Sequence, residues 1–429
     1  MTTSSENESR KPLLSTTLKV FLFSMILANI AGAMYISFLP LYLKQLGANV
    51  AQIGLFFTIS QIIPLVLQVL GGWISDSIGR LKSIALGSMA GVISHIALII
   101  APTWAWVLVS EGLGAVTRSL VGPSFGAFTA EESDEENRAR VFGVVDAFYN
   151  IVAIVGPPLG GFMIDHYGFT AMLIASAVLY TMATVIRVIM AKRATKSTKN
   201  EGTKGKLDLR ELRINLGAIF GLVLAGGVLT WIIVTDGIRD IAFSLSGTLI
   251  PVYLEDVGGL SAQRIGILGS VLGVAMMLTS YPAGHLADKF GERLMIALGF
   301  TLQGAGLFTF IAAENFYIYA ISYALIGMGI SLMSPAYQSL LSKVLPQKLR
   351  GTGFGLIHSG LGFFSLPAPA IGAELYSSVG PTTPFWITAI ASVFAVFPAF
   401  FKFKLSDKDR QQIDAAEAKM IKDEEELKE

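Results

Sequence analysis

The 429-residue sequence contains no cysteine, which excludes disulfide bonds, thiolate metal sites and cysteine nucleophiles. Charged residues are scarce at 15%, whereas soluble domains carry about a quarter. The chain also lacks a G-x-x-x-x-G-K-[ST] segment, so it does not hydrolyse nucleotides with a P-loop. Its four histidines are widely separated, and its net charge is only +1. We therefore expect no enzymatic activity, no metal, no cofactor and no nucleic-acid partner.

Hydrophobic residues make up 53% of the chain, and they are concentrated in long runs. A bilayer core is crossed by about 20 consecutive apolar residues, and only helices and closed barrels satisfy their backbone groups there. The sequence therefore predicts an all-α integral membrane protein. We number its twelve transmembrane segments in chain order: 17–43, 50–74, 82–101, 104–129, 141–165, 168–191, 228–254, 261–284, 293–312, 316–342, 352–376 and 381–402.

Lysine and arginine are distributed unequally between the two sets of loops. One set and the tails contain Arg80, Lys82, Arg138, Arg140, the basic residues of 192–213, Lys289, Arg293, Lys343, Lys348 and Arg350. The other set contains only Lys44 and Arg264. Because cytoplasmic loops carry the excess of positive charge, the pattern predicts a multi-pass protein of the cell membrane (plasma or inner membrane) with both termini in the cytoplasm.

The two halves of the chain repeat each other. Residues 71–80 match 283–292 at an offset of 212, and the same register continues to Pro157 and Pro369. Upstream of Arg264 the offset is 211, as for Pro40 and Pro251. Parallel repeats around a central site are a known transporter plan. We predict a cytoplasmic tail (1–16), a six-helix bundle (17–191), a cytoplasmic linker (192–227), a second six-helix bundle (228–402) and a C-terminal tail (403–429).

The apolar run just before segment 7 has two interpretations. Residues 214–227 either lie along the membrane surface and bend at Gly226 and Gly227, or begin a long, kinked segment 7.

A duplicated motif lies between segments 2 and 3 and between segments 8 and 9. It comprises Gly72, Asp76, Gly79, Arg80 and Lys82, and then Gly284, Asp288, Gly291 and Arg293. This pattern resembles the signature of the major facilitator superfamily. The resemblance covers nearly the whole chain and implies a fold of two pseudo-symmetric six-helix bundles. It also implies that both motif copies form a cytoplasmic gate between the halves. The alternative is a turn that only anchors the topology.

Segment 5 contains a second motif, formed by Gly156, Pro157, Gly160 and Gly161. It resembles the G-P-x-x-G-G motif of the drug and metabolite proton antiporters of that superfamily. Proline kinks a helix, and glycines allow another helix to approach closely. A role in packing alone is the alternative interpretation.

Several charged residues lie inside predicted membrane segments, where a charge requires a partner or a wet cavity. They are Glu111 and Arg118 in segment 4, Asp146 in segment 5, and Asp236, Arg239 and Asp240 in segment 7. Asn29 of segment 1 matches Asp240 in the repeat. These residues are candidates for ion coupling and substrate binding. The alternative is a set of ion pairs that only stabilise the fold: Arg239 with Asp236 or Asp240, and Arg118 with Glu111 or Asp146.

Together these features predict a monomeric secondary active transporter that moves a small organic solute by alternating access. The antiporter-like motif favours proton-coupled efflux, with sodium as the other candidate coupling ion. The substrate could be amphipathic or lipid-like. Metabolite uptake and lipid or glycolipid flipping are alternative activities. A membrane sensor or scaffold without transport is the alternative from a different class.

Overall fold

The computed structural model describes residues 14–133, 135, 137–197, 221, 223, 226–346, 362–407, 409–411, 413 and 415. In this part of the chain there are thirteen α-helices and no β-strand. The helices are α1 (Thr16–Ile36), α2 (Leu39–Gln45), α3 (Val50–Ile78), α4 (Arg80–Ile99), α5 (Val107–Glu131), α6 (Arg138–Ser197), α7 (Val228–Gly247), α8 (Ile250–Asp256), α9 (Ala262–Phe290), α10 (Glu292–Ile311), α11 (Phe316–Val344), α12 (Ala368–Ser378) and α13 (Thr383–Lys402).

The helices overlap all twelve predicted segments, although residues 352–361 of segment 11 lie outside the described ones. Seven of the described helices are long and apolar enough to cross a bilayer on their own. Segment 1 is divided into α1 and α2, and segment 7 into α7 and α8. Each division comes just before a proline, Pro40 and Pro251, which occupies the first turn of the second helix. Proline is tolerated in the first turn because that turn has no backbone acceptor for its missing N–H.

Segments 5 and 6 form the two arms of α6, which meet at Gly168. The backbone there has φ 82° and ψ 168°, outside the helical region and accessible mainly to glycine. In the first arm, Gly156 and Gly160 face Ala33 and Met34 of α1, so this arm runs parallel to α1. In the second arm, Ser176 contacts Ala31 and Arg187 contacts Ser24, so this arm runs antiparallel to α1. The chain therefore reverses at Gly168 without a loop.

A single glycine also joins two helices in each copy of the duplicated motif. Gly79 lies between α3 and α4 with φ 92°, and Gly291 lies between α9 and α10 with φ 86°. A side chain would strain both positions. The matching backbone geometry at repeat-related residues shows that the halves share one fold.

The linker lies mainly outside the described residues, which omit 198–220, 222, 224 and 225. In the described part, the backbone of Gly226 has φ 76° and α7 begins at Val228, but the two interpretations of 214–227 concern residues that lie mostly outside the described ones. Asp409 accepts a hydrogen bond from the Val228 N–H at 3.0 Å, so the segment after α13 caps the start of α7.

The halves contact each other through backbone packing that follows the repeat. A Cβ on Gly54 of α3 would lie 2.6 Å from the carbonyl oxygen of Pro369 in α12. A Cβ on Gly266 of α9, the equivalent residue, would overlap the carbonyl oxygen of Pro157 in α6, the equivalent of Pro369. Only glycine permits this approach on both sides of the interface, because any side chain would separate the helices.

Gly266→Ala is expected to destabilise the protein by about 1–3 kcal/mol, the usual cost of overpacking against an atom that cannot move. Gly126→Ala is the matched control, since a Cβ at Gly126 of α5 would meet nothing within 4 Å. The melting temperature of each purified variant measures the effect. Equal melting temperatures for the two variants would contradict the proposed role of Gly266 in close packing.

Candidate functional site

The charges of α7 form one connected network. The Arg239 guanidinium lies 2.8 Å from an Asp240 oxygen and 3.3 Å from an Asp236 oxygen. The hydroxyl of Tyr337, on α11, donates a short hydrogen bond to Asp236. The side chain of Asp236 is only 8% exposed, whereas that of Asp240 is 40% exposed. Asp236 is therefore the enclosed carboxylate partner of Arg239, and Asp240 is the more exposed one.

The second charged pair lies within α5. Arg118 Nη2 is 3.2 Å from Glu111 Oε2, two helical turns away. The Glu111 side chain is 15% exposed and that of Arg118 is 51% exposed. Arg118 thus pairs with Glu111 and not with Asp146, the other partner considered from sequence. Because its guanidinium is half exposed, Arg118 can contact a solute while keeping its carboxylate partner.

The remaining two candidates are less tightly held. Asp146 is exposed and has no ion-pair partner in the part of the chain that the structure describes. The Asn29 amide donates to the Met25 carbonyl oxygen at 2.7 Å. Asn29 and Tyr149 line the same narrow crevice between α1, α5 and α6. Asn29 therefore has a hydrogen-bond partner within its own helix, and it shares no described contact with Asp240.

Sequence analysis missed Arg187, a buried arginine in the second arm of α6. Its guanidinium donates to Ser88 Oγ at 2.8 Å and lies 3.4 Å from both the hydroxyl and the carbonyl oxygen of Ser24. It also lies 2.8 Å from the Met25 sulfur. No carboxylate is among its described contacts. In the sequence, Arg187 is visible only as a lone arginine inside the apolar run of segment 6.

The motif copies between segments 2 and 3 and between segments 8 and 9 contact their own halves. Arg80 lies 3.2 Å from Glu131 of α5, and Arg293 stacks on Phe400 of α13 at 5.2 Å. Lys82 and Asp288 are exposed, and Gly284 packs against no other helix within 4 Å of a Cβ. Gly72 and Asp76 lie in α3, and only their backbone is described. The gate role stays a prediction.

The G-P-x-x-G-G segment of α6 has two packing faces. Gly156 and Gly160 face Ala33 and Met34 of α1, within the same half. Pro157 and Gly161 face Gly266 and Ala262 of α9, in the other half. A Cβ on Gly160 or Gly161 would overlap a backbone carbonyl oxygen. The segment therefore lies where the two halves meet, and it also fixes α6 to α1.

Among the described residues, the charged side chains that contact the other half lie at the end of the molecule opposite the duplicated motif, which we call the outer end. Asp165 of α6 accepts hydrogen bonds from the N–H groups of Ala262 and Gln263, at 3.1 and 2.9 Å. A carboxylate at a helix N-terminus is favoured by unpaired N–H groups and by the helix dipole. Asp165 therefore caps α9 from across the interface.

Lys44 makes the second polar contact at the outer end. Its ammonium lies 2.6 Å from Glu255 and also pairs with Asp256, both in α8. Lys44 and Glu255 are equivalent residues in the repeat, at the offset of 211. Partial burial alone would lower the pKa of Lys44, but the hydrogen bonds to Asp256 and Glu255 outweigh it and raise the pKa above the ordinary 10.5. The Lys44 ion pairs therefore stabilise the contact between the halves at pH values below this pKa, and their contribution is lost as the pH rises through it.

Lys44→Gln is expected to weaken closure at the outer end. Exposed ion pairs contribute about 0.2–1 kcal/mol each, and Lys44 makes two, so the ratio of closed to open forms should fall by about twofold to thirtyfold. Spin labels at Gln45→Cys and Glu314→Cys, one in each half, measure the separation, and the absence of native cysteine keeps the labelling specific.

Arg264→Gln is the matched control for this measurement. Arg264 is an exposed cation at the same end with no ion pair among the described residues. The difference between the wild-type and Lys44→Gln distance distributions should not change with pH between about 5 and 9, because Lys44 stays protonated there. An unchanged distribution in Lys44→Gln would contradict the assignment of this ion pair as an outer latch.

Two six-helix halves, closed against each other at one end and carrying charged residues within their membrane segments, define a polytopic membrane transporter. A family model described as Major Facilitator Superfamily matches residues 21–258 and 237–425. The chain therefore belongs to the major facilitator superfamily, and it functions as a secondary transporter.

Curated relatives include drug-resistance proteins. The chain is 24% identical over 366 residues to the class G tetracycline resistance protein of Vibrio anguillarum, covering 83% of this chain and 89% of that protein. It is 22% identical over 360 residues to the quinolone resistance protein NorA of Staphylococcus aureus, covering 83% and 89%. These relatives agree with the drug and metabolite antiporter branch that the segment 5 motif predicts.

Solved structures share the fold. A variant of the nucleoside transporter NupG has a TM-score of 0.74 at 14% identity, covering 90% of this chain and all of that one. A bacterial homologue of the iron transporter ferroportin, in an inward-facing state, has a TM-score of 0.71 at 14% identity, covering 91% and 99%. At these identities the likeness establishes the fold alone.

Proposed function

We propose that this protein exports a small organic compound from the cytoplasm in exchange for protons, and that Asp240 is the carboxylate that couples the two movements. The observation that carries the proposal is the α7 network. Arg239 is bound by Asp236 and Asp240 together, but only Asp240 is substantially exposed. A proton arriving at Asp240 would release one of the two carboxylates from Arg239 while Asp236 and Tyr337 keep its position.

The same network gives a physical reason for exchange. Protonation of Asp240 removes the negative charge that it holds beside Arg239. A substrate that binds near Arg239 then competes with Asp240 for that guanidinium. Alternating occupancy by proton and substrate is the requirement for antiport. The resistance proteins among the relatives support efflux as the direction.

Orientation and conformational state form part of the proposal. The excess of basic residues in one set of loops supports a cytoplasmic position for the duplicated motif and both termini. The outer end then faces the exterior, and its latch of Lys44 with Glu255 and Asp256 is closed. The two motif copies contact their own halves through Arg80 and Arg293. This arrangement corresponds to an inward-facing monomer that receives its substrate from the cytoplasm.

Asp240→Asn is expected to abolish substrate-induced proton movement while the protein remains folded, because the amide retains the shape but cannot take up a proton. Purified protein is reconstituted in liposomes containing a trapped pH dye, and chemically diverse amphipathic compounds are tested. Asp407→Asn is the matched control, since Asp407 is exposed beyond the end of α13. Substrate-driven proton flux in Asp240→Asn equal to that of the control would refute the coupling role.

Asp236→Asn distinguishes the enclosed carboxylate from the coupling group. It leaves Arg239 with Asp240 alone and weakens the hydrogen bond from Tyr337, so it is expected to lower the melting temperature as well as transport. Asp240→Asn should lower transport with a smaller effect on melting. Identical losses of stability in the two variants would show that both carboxylates serve the fold. If a sodium gradient drives flux in the absence of a proton gradient, the coupling ion is sodium and not the proton.

A further inference from the structure

A cationic pocket lies at the motif end of the second half, away from the transport network. It has a volume of about 550 Å³ and is formed where α9, α10, α11 and the segment after α13 come together. Arg293, Lys343, Lys404, Arg410 and one carboxylate, Glu292, line it, which gives the lining a net charge of +3. Its apolar walls comprise Phe290, Leu340, Phe403 and Leu405. The pocket thus combines excess positive charge with apolar surface.

The single carboxylate is already engaged. Glu292 pairs with Lys343 and also accepts a hydrogen bond from Ser339 at 2.8 Å, both on α11. In the described residues, Arg293, Lys404 and Arg410 form no ion pair with a carboxylate. Three cations brought close together without counter-charges repel one another. An anion with several acceptor oxygens would satisfy them together.

Local structure keeps these cations in place. Ser406 and Asp409 cap the turn after α13 reciprocally, with the Asp409 carboxylate accepting from the Ser406 N–H at 2.9 Å and the Ser406 hydroxyl accepting from the Asp409 N–H at 3.2 Å. Asp409 also caps α7 through the Val228 N–H. Lys404 and Arg410 are therefore held beside the pocket by backbone contacts, and both of their side chains are exposed.

The position of the pocket identifies the kind of anion. Arg293 is the second residue of α10, so the unpaired N–H groups of that helix start lie beside it and favour negative charge. Arg293 stacks on Phe400, two residues before the end of α13, which places it where a membrane helix ends. Phospholipid phosphoryl groups lie at that depth, and anionic lipids are enriched in the cytoplasmic leaflet.

We propose that this pocket binds the phosphoryl headgroup of an anionic phospholipid from the leaflet on the motif side. Arg293, Lys404 and Arg410 hold the phosphoryl oxygens, and the apolar walls contact the glycerol backbone and the first carbons of the acyl chains. Basic loops by themselves are explained by topology. Topology does not explain why three cations without carboxylate partners line one pocket beside an apolar wall. Bound lipid would join the end of α13 to α9, α10 and α11.

The test measures the melting temperature of the purified full-length protein against rising concentrations of dihexanoyl phosphatidylglycerol. The same titration is made with dihexanoyl phosphatidylcholine and with sodium phosphate. Phosphatidylglycerol is expected to raise the melting temperature at lower concentration than either comparison ligand. The variant Lys404→Gln with Arg410→Gln should shift the half-maximal concentration upward by about tenfold or more, as expected for two cations near a lipid surface.

The matched control is Lys192→Gln with Arg193→Gln, which removes the same charge from an exposed part of α6 outside the pocket. It should respond to phosphatidylglycerol as the wild type does. Arg410→Gln alone replaces the double variant if that variant does not fold. Equal responses in the pocket and control variants would overturn the site. An equal effect of phosphatidylcholine would overturn the charge recognition. An equal effect of sodium phosphate, lost in the same variant, would overturn the lipid as its source.

Discussion

The structure depends on the close approach of backbone to backbone where the halves meet. Gly54 lies against the carbonyl of Pro369, and Gly266 lies against the carbonyl of Pro157. In a bilayer the hydrophobic effect does not drive helices together, because lipid tails are as apolar as side chains, so association rests on packing and polar contacts. The ion pairs of Lys44, the hydrogen bonds of Asp165 and the packing of the G-P-x-x-G-G segment all depend on these two contacts. A side chain at either glycine would move the helices that carry the other features.

Two arginines inside the membrane have different kinds of partner. In the second half, Arg239 pairs with two carboxylates, one of which, Asp236, accepts a hydrogen bond from Tyr337. The first half buries Arg187 among hydroxyls, a carbonyl and a sulfur, with no acid among its described contacts. A paired network can change state when one acid takes up a proton, whereas a cation among neutral partners has no such switch. This difference is why the proposed coupling group lies on α7 and not on α6.

Much of the fold was predictable because its signals are local. Apolar run length indicates the segments, and a constant register indicates the two halves, whereas the divisions before Pro40 and Pro251 were not predicted. The spacing of Asp236, Arg239 and Asp240 predicts that all three lie on one face of α7. Tyr337 and Arg187 were not predicted, because their roles depend on which helices become neighbours. The choice of Glu111 over Asp146 as the partner of Arg118 is likewise decided by tertiary packing.

The outer latch has a consequence for how such a protein can arise. Lys44 and Glu255 occupy equivalent places in the two halves, yet they carry opposite charges and bind each other. In a symmetric dimer of identical halves, one residue at this place would face its own copy, and like charges would repel. An attractive ion pair between these equivalent positions can form only when both copies are encoded in one chain and their sequences can diverge. Fusion of the halves thus turns a position that could only be neutral or repulsive into an attractive contact.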